Sequence, residues 1–293
     1  MDKNVGVLFL GGDQRQCIAE NYLYDLGFDT ALCLNEYLSF AKGVTYELWE
    51  QALKERKVIL FPLPMNMKQG CLNAPCCVEQ PILLSELIQY IQPNSLILGG
   101  KISLEICSLL SEKGIKYIDY YNEELQIANA LPTAEGAIGL ALCEMPITIS
   151  DANVLIVGYG RIAKVLAFKL KLLGAHVTVA ARKNTDLVTA KTYGYDAICI
   201  QDGFPAIDRH IDVVFNTVPA CLFGREELKN FDRNTLYIEL ASAPYGIDAQ
   251  EAERLKIRVI MAQSLPGKYS PVTAGKILAE TIVRILEKEE NLP

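Results

Sequence analysis

Histidine is almost missing from this 293-residue chain, which has only His176 and His210. An imidazole-based metal centre or general base therefore has few possible sources. No apolar run approaches the ~18–20 residues of a membrane span, although 51% of the residues are hydrophobic and the mean hydropathy is +0.17. No Lys/Arg cluster exceeds two neighbours and the net charge is −7, with a pI near 5.1. That balance disfavours a protein driven by nucleic-acid phosphates. There is no internal period, which excludes repeat and collagen-like architectures. The opening stretch MDKNVGVLFLGGDQRQ runs straight into Gly-Gly-Asp with no small-residue cleavage site, so it does not read as a signal peptide. At about 150 residues per domain, the length suggests two domains. No Gly/Ser-rich linker separates them, which suggests packed domains with a cleft between them.

What is present begins with nine cysteines, at 17, 33, 71, 76, 77, 107, 143, 199 and 221. Most lie in apolar periodic segments, where a free thiol behaves as a small hydrophobe. Cys71 and Cys76-Cys77 fall in a Pro-bounded loop, but no histidine is near and no four-ligand spacing appears. The reading is loop packing and no metal. Reduced thiols point to the cytosol.

Two strand–helix series follow each other. The first has strand-like runs at 5–10, 30–34, 57–61, 95–98 and 116–119. Helical patterns lie between them, one stopping at Gly27, one over 81–91 and one ending at Gly114. Residues 122–144 read as helix broken at Pro132. The second series has strands at 154–157, 176–181, 197–200, 212–216, 236–240 and 258–261, the six of a doubly wound dinucleotide domain. A last helix, from about Val272 to Glu289, is expected to cross back to the first domain. The fold class is therefore α/β, with two doubly wound parallel-sheet domains. The expected division is 1–145 plus 270–293 for an N-terminal α/β substrate domain, and 146–269 for a Rossmann NADP-binding domain.

The strongest chemical motif is Gly158-Tyr159-Gly160-Arg161-Ile162-Ala163. It follows the strand VLIV and opens a helix that stops at Gly174, and the next strand starts at His176. This is the βαβ context that a G-x-G-x-x-A fingerprint needs. Gly158 permits the turn, Gly160 the backbone approach to pyrophosphate, and Ala163 close packing. An NAD site would place a carboxylate at the end of the second strand. Here stand Arg182-Lys183, and the first acid is Asp186. A guanidinium suits a 2′-phosphate, so the expected cofactor is NADP; a merely solvated basic pair is the alternative. Asn216-Thr217-Val218-Pro219 and Ser242 follow the fourth and fifth strands and should face the nicotinamide half, unless they are ordinary turn residues.

In the first domain Gly12, Asp13, Arg15 and Gln16 also sit between a strand and a helix. They suit a carboxylate substrate, or else Asp13 is only an N-cap. The segments 129–136 and 265–275 read as hinges lining the cleft, or as plain connectors. They supply Thr133 and Thr273 as substrate contacts, and Glu135 and Lys268 as acid–base candidates beside Ser242.

GGDQRQ, NALPTAEGAIGLA, VLIVGYGRIA, FNTVP, IELAS and LPGKYSPVTAGKIL, in this order, resemble the family of dipicolinate synthase A subunits (dipicolinic acid synthetase A chains), within the formate/glycerate-dehydrogenase-like group. The resemblance implies an oxidoreductase. Its activity would be the NADP-linked oxidation of dihydrodipicolinate, a cyclic dicarboxylate, to pyridine-2,6-dicarboxylate during sporulation. It further implies a cytoplasmic place in the mother cell and a heteromeric complex with a flavoprotein-like B subunit. The high hydrophobic content itself suggests covered parallel sheets plus a homo-oligomer or B-subunit interface. Aromatising a dihydropyridine removes a hydride and a proton, so positioning would carry most of the catalysis. Two alternatives stay open: an NAD(P)-dependent 2-hydroxyacid dehydrogenase, which the histidines fit poorly, and a non-catalytic NADP-binding subunit.

Overall fold

The computed structural model describes residues 5–38, 40–78, 81–205, 209–229 and 231–289. Two compact units emerge. Unit 1 takes the chain up to Asn129 and again from Ser270; unit 2 spans Ala130–Tyr269.

Unit 1 is built on a six-stranded parallel sheet of order β3-β2-β1-β4-β5-β6. Its strands are β1 (Gly6–Leu10), β2 (Asp29–Cys33), β3 (Val44–Tyr46), β4 (Val58–Leu60), β5 (Leu96–Gly99) and β6 (Lys116–Asp119). The helices are α1 (Gln14–Asp25), α2 (Trp49–Glu55), α3 (Leu84–Tyr90), α4 (Leu104–Glu112), the start of α5 (Glu123–Glu144) and α11 (Pro271–Lys288). Covered on both faces, the central strands are apolar throughout. In β1, Val7 and Phe9 enter one core while Leu8 and Leu10 enter the other.

Unit 2 repeats the order as β12-β11-β10-β7-β8-β9. Its strands are β7 (Asn153–Val157), β8 (His176–Ala181), β9 (Asp196–Cys199), β10 (Val213–Asn216), β11 (Leu236–Glu239) and β12 (Arg258–Met261). With the rest of α5 come α6 (Arg161–Leu172), α7 (Asn184–Thr192), α8 (Arg225–Leu228), α9 (Ala249–Arg254) and α10 (Leu265–Tyr269). Both sheets thus have the doubly wound order, with a switch point between their first and fourth strands.

Three local expectations are corrected. First, α5 is not broken at Pro132 but runs through it as one 22-residue helix. Proline removes one backbone donor, and Pro132, with Ala130, Ala134 and Ala137, is buried, so packing outweighs the lost bond. Second, 265–275, which contains the unit boundary at Tyr269–Ser270, is helical and not a loop. It forms α10 and the first turn of α11, with Pro271 at the favoured start position. Third, β3 has no sequence signal, because this three-residue edge strand is largely exposed and lacks an apolar run.

α11 lies along α1 within unit 1. The two helices approach closely at Gly275, where a Cβ would come within 2.7 Å of Ile18 Cβ and 2.9 Å of the Arg15 carbonyl oxygen.

Candidate functional site

In unit 2 the turn after β7 meets the turn after β10. Gly158 has φ +93°, and a Cβ there would lie 2.5 Å from Thr217 Oγ1 and 2.8 Å from Val218 Cγ2. Only glycine meets both demands. Gly158 N–H donates to the Ala180 carbonyl, and Thr217 Oγ1 to the Val157 carbonyl at 2.7 Å. The two loops are therefore fastened side by side at the sheet's switch point. Gly160 is the N-cap of α6, with no side-chain cap and open space where a Cβ would stand. That geometry leaves amides of the first turn facing outward. Ala163 is fully buried, allowing the close helix–sheet approach; Tyr159 is buried, with Lys164 Nζ 5.5 Å from its ring centroid. Ile162 is half-buried and Arg161 exposed.

Arg182 and Lys183 stand exposed just beyond β8, Lys183 as the N-cap of α7. Among the described residues no ion pair engages either of them. Pro219 and Ser242 are exposed on the loops that follow β10 and β11.

Asn216 is fully buried and faces Glu239, its register partner on β11. Asn216 Nδ2 donates to Glu239 Oε1 at 2.7 Å, the Ala241 amide to the same oxygen at 3.0 Å, and the Gly246 amide to Oε2 at 2.8 Å. Tyr237 OH lies 3.4 Å from Oε2. Burial pushes the Glu239 carboxyl above the ordinary carboxylate range, against the pull of these donors. The sequence motifs do not single out Glu239. Its one signal is an acid ending LYIE, an otherwise apolar strand that has to be interior.

Unit 1 gathers its polar residues at its own switch point. Asp13 is the N-cap of α1, accepting from the Arg15 amide at 3.0 Å. It also binds the Arg15 guanidinium, through Nε at 2.8 Å and Nη2 at 2.8 Å. Arg15 Nη2 further donates to the Leu63 carbonyl beyond β4. Arg15 is thus not an unshared cation, because one edge of its fork is taken. Burial lowers its pKa, and the Asp13 carboxylate outweighs that to raise it. Gly12 has φ +86°, and Gln16 folds back over it where a Cβ would stand. Gln16 is 2% exposed, and among the described residues neither its side-chain oxygen nor its nitrogen has a hydrogen-bond partner. It lines a narrow cavity of about 20 Å³ with Asp13, Arg15, Leu63, Asn73 and Asn129. Asn73 comes from the cysteine loop, which no sequence motif connects with the site. Its carbonyl accepts the Gly12 amide at 2.8 Å, while Cys71 and Cys77 are buried.

The remaining candidates are dispersed. Thr133 and Glu135 lie on α5, and Glu135 is exposed and ion-paired with Lys169 at 2.8 Å. Lys268 on α10 and Thr273 on α11 are exposed. α10 packs against α5 at Gly136, where a Cβ would lie 3.1 Å from Leu265 Cβ. The two histidines sit at the other end of the second sheet. His176 opens β8, and His210, 3.0 Å from Asp212, precedes β10. Ligands of doubly wound sheets bind at the carboxyl ends, so neither histidine is on the working edge.

Residues 6–121 match the family model of the N-terminal domain of the dipicolinate synthase A subunit. Over 283 residues the chain is 26% identical to the dipicolinate synthase A subunit of Bacillus subtilis (strain 168), covering 96% of this chain and 95% of that one. The chain is similar to the dipicolinate synthase A subunit over nearly its full length. The crystal structure of that protein from Bacillus halodurans superposes with a TM-score of 0.86 at 28% identity, covering 97% of this chain and 98% of the other. The similarity to dipicolinate synthase thus extends through both units. A transhydrogenase from Sinorhizobium meliloti, 15% identical, shares the fold with a TM-score of 0.69 over 96% of this chain and 93% of its own. No helix among the described residues is long and apolar enough to cross a membrane.

Proposed function

We propose that this protein is the A subunit of a dipicolinate synthase, an NADP-linked oxidoreductase that converts dihydrodipicolinate to pyridine-2,6-dicarboxylate. The observation that carries the reading is the fastening of the Gly158 turn against Thr217 and Val218 at a switch point. It occurs in a chain similar over nearly its full length to the A subunit of dipicolinate synthase.

The residues present fit a nicotinamide dinucleotide. The open Gly160 position and the uncapped start of α6 suit a pyrophosphate, and Arg182 with Lys183 suits a 2′-phosphate. When bound, NADP supplies the hydride acceptor. Tyr159, Arg161 and Ile162 wall the turn, while Asn216, Thr217, Val218, Pro219 and Ser242 shape the loops beyond β10 and β11. In unit 1, Gln16 and the guanidinium of Arg15 orient a substrate carboxylate beside Gly12 and Asp13, with Thr273 as a further contact. Aromatisation drives the loss of hydride and proton, so no strongly activated base is required. Lys268 and Ser242, both exposed, are the groups assigned to the departing proton. Glu135 would have to leave Lys169 first.

The same reading places the protein in the cytoplasm of the mother cell of a sporulating bacterium, partnered by the synthase's B subunit, a flavoprotein-like chain, and by further copies of itself. Exposed Phe168 and Leu172 on α6 and Val188 on α7 are the apolar surface offered for such contacts. The test follows absorbance at 340 nm as freshly generated dihydrodipicolinate and NADP are mixed with this chain, with and without the B subunit. Production of NADPH is expected, and Arg15→Ala is expected to lose turnover while still binding NADPH. No turnover under either condition would leave a non-catalytic binding subunit.

A further inference from the structure

Glu239 is fully buried at the end of β11, yet its carboxylate takes donors from three separate pieces of chain. Asn216 reaches it from β10, the Ala241 amide from the near end of the following loop, and the Gly246 amide from the far end. Asn216 in turn grips its own loop: Nδ2 donates to the Val218 carbonyl at 2.9 Å, and Oδ1 accepts the Val218 amide at 3.2 Å. At Gly246 a Cβ would stand 2.6 Å from Asn216 Cγ and 2.8 Å from Tyr237 OH, so the loop is pressed directly onto the network. All four groups around the carboxylate can donate, the arrangement that an acceptor-only carboxylate satisfies in full.

We infer that Glu239 is a positioning residue that binds the 216–219 and 241–246 loops into one rigid rim and so sets the seat of the nicotinamide half of the cofactor. The inference rests on the nicotinamide reading above. Glu239 touches neither substrate nor cofactor and acts through Asn216, Val218, Ala241 and Gly246. The pyrophosphate seat at Gly160 and the exposed Arg182 make no bond to Glu239, and Thr217, which packs on Gly158, is held to the Val157 carbonyl by its own amide and hydroxyl. A Gln side chain has the same shape but carries an amide NH2. With that NH2 turned toward Tyr237, whose hydroxyl can accept, it opposes the Gly246 N–H and releases the far end of the loop.

The test uses the full chain with Glu239→Gln and two ligands, NADPH and 2′-phospho-ADP-ribose, which differ only in the nicotinamide. Calorimetry is expected to show NADPH weakened about fivefold or more, with 2′-phospho-ADP-ribose within twofold of wild type. Hydrogen exchange without ligand is expected to speed up over 241–246 and not over 158–165. Equal weakening of both ligands, or of neither, would overturn the inference. Failure of the wild-type chain to bind NADPH, NADH or 2′-phospho-ADP-ribose would overturn the cofactor reading itself. Exchange over 241–246 unchanged by Glu239→Gln would overturn the positioning role separately.

Discussion

At the scale of single residues, charge matters less than what each charge already holds. Arg15 and Arg182 are both arginines near a strand's carboxyl end, yet Arg15 shares its fork with Asp13 while Arg182 is exposed and, among the described residues, engaged in no ion pair. Arg182 can give its whole planar fork to a 2′-phosphate. Arg182→Ala is therefore expected to lower the preference for NADPH over NADH by about tenfold, the size of a charge-assisted hydrogen bond. Paired Kd measurements on both cofactors check it, and a wild type that does not prefer NADPH would remove the assignment. Glycine works by conformation and space together: at Gly12 and Gly158 the backbone is left-handed and a neighbouring side chain fills the Cβ position.

At the scale of elements, helix contacts are decided where small residues let backbones meet. α11 depends on Gly275, since a Cβ there would push against Ile18 and the Arg15 carbonyl of α1. Gly275→Ala is expected to destabilise the fold by about 1–3 kcal/mol, the usual cost of overpacking, offset slightly by better helix propensity. Urea unfolding measures it, and an unchanged midpoint would show that α11 can shift without loss. α1 begins at the same switch point as the Arg15–Gln16 cavity, so the substitution is expected to disturb substrate binding before cofactor binding. α5 gives the opposite lesson, because a buried proline is carried inside a continuous helix when its face is apolar.

At the scale of the whole molecule, two sheets of the same strand order each present a switch point, and each gathers the polar residues of its unit there. The net charge of −7 does not favour anionic ligands, so local donors must hold them. Glu239 also leaves a mark on overall stability. Its carboxyl is raised in the folded state by burial, so the folded chain holds that proton more tightly than the unfolded one. Its share of stability is complete below the unfolded value and is lost as pH rises through the raised folded value. The stability of wild type relative to Glu239→Gln is therefore expected to fall as pH rises from about 4 in urea titrations. A difference independent of pH would contradict the shift.

The sequence by itself determined every strand but β3, and their parallel class, because wholly apolar runs between helices can be buried only in a covered sheet. It also placed the Gly158 turn, since a fingerprint between strand and helix is a local pattern, and the glycine-rich start of α1. Only the tertiary structure decided which polar groups meet. Asp13 proved to be both cap and partner of Arg15, the cysteine loop brought Asn73 to the cavity, and Glu239 met Asn216 on the neighbouring strand. Such pairings depend on register and loop closure between distant segments. A linear pattern carries the propensity of each segment but not the distance between them.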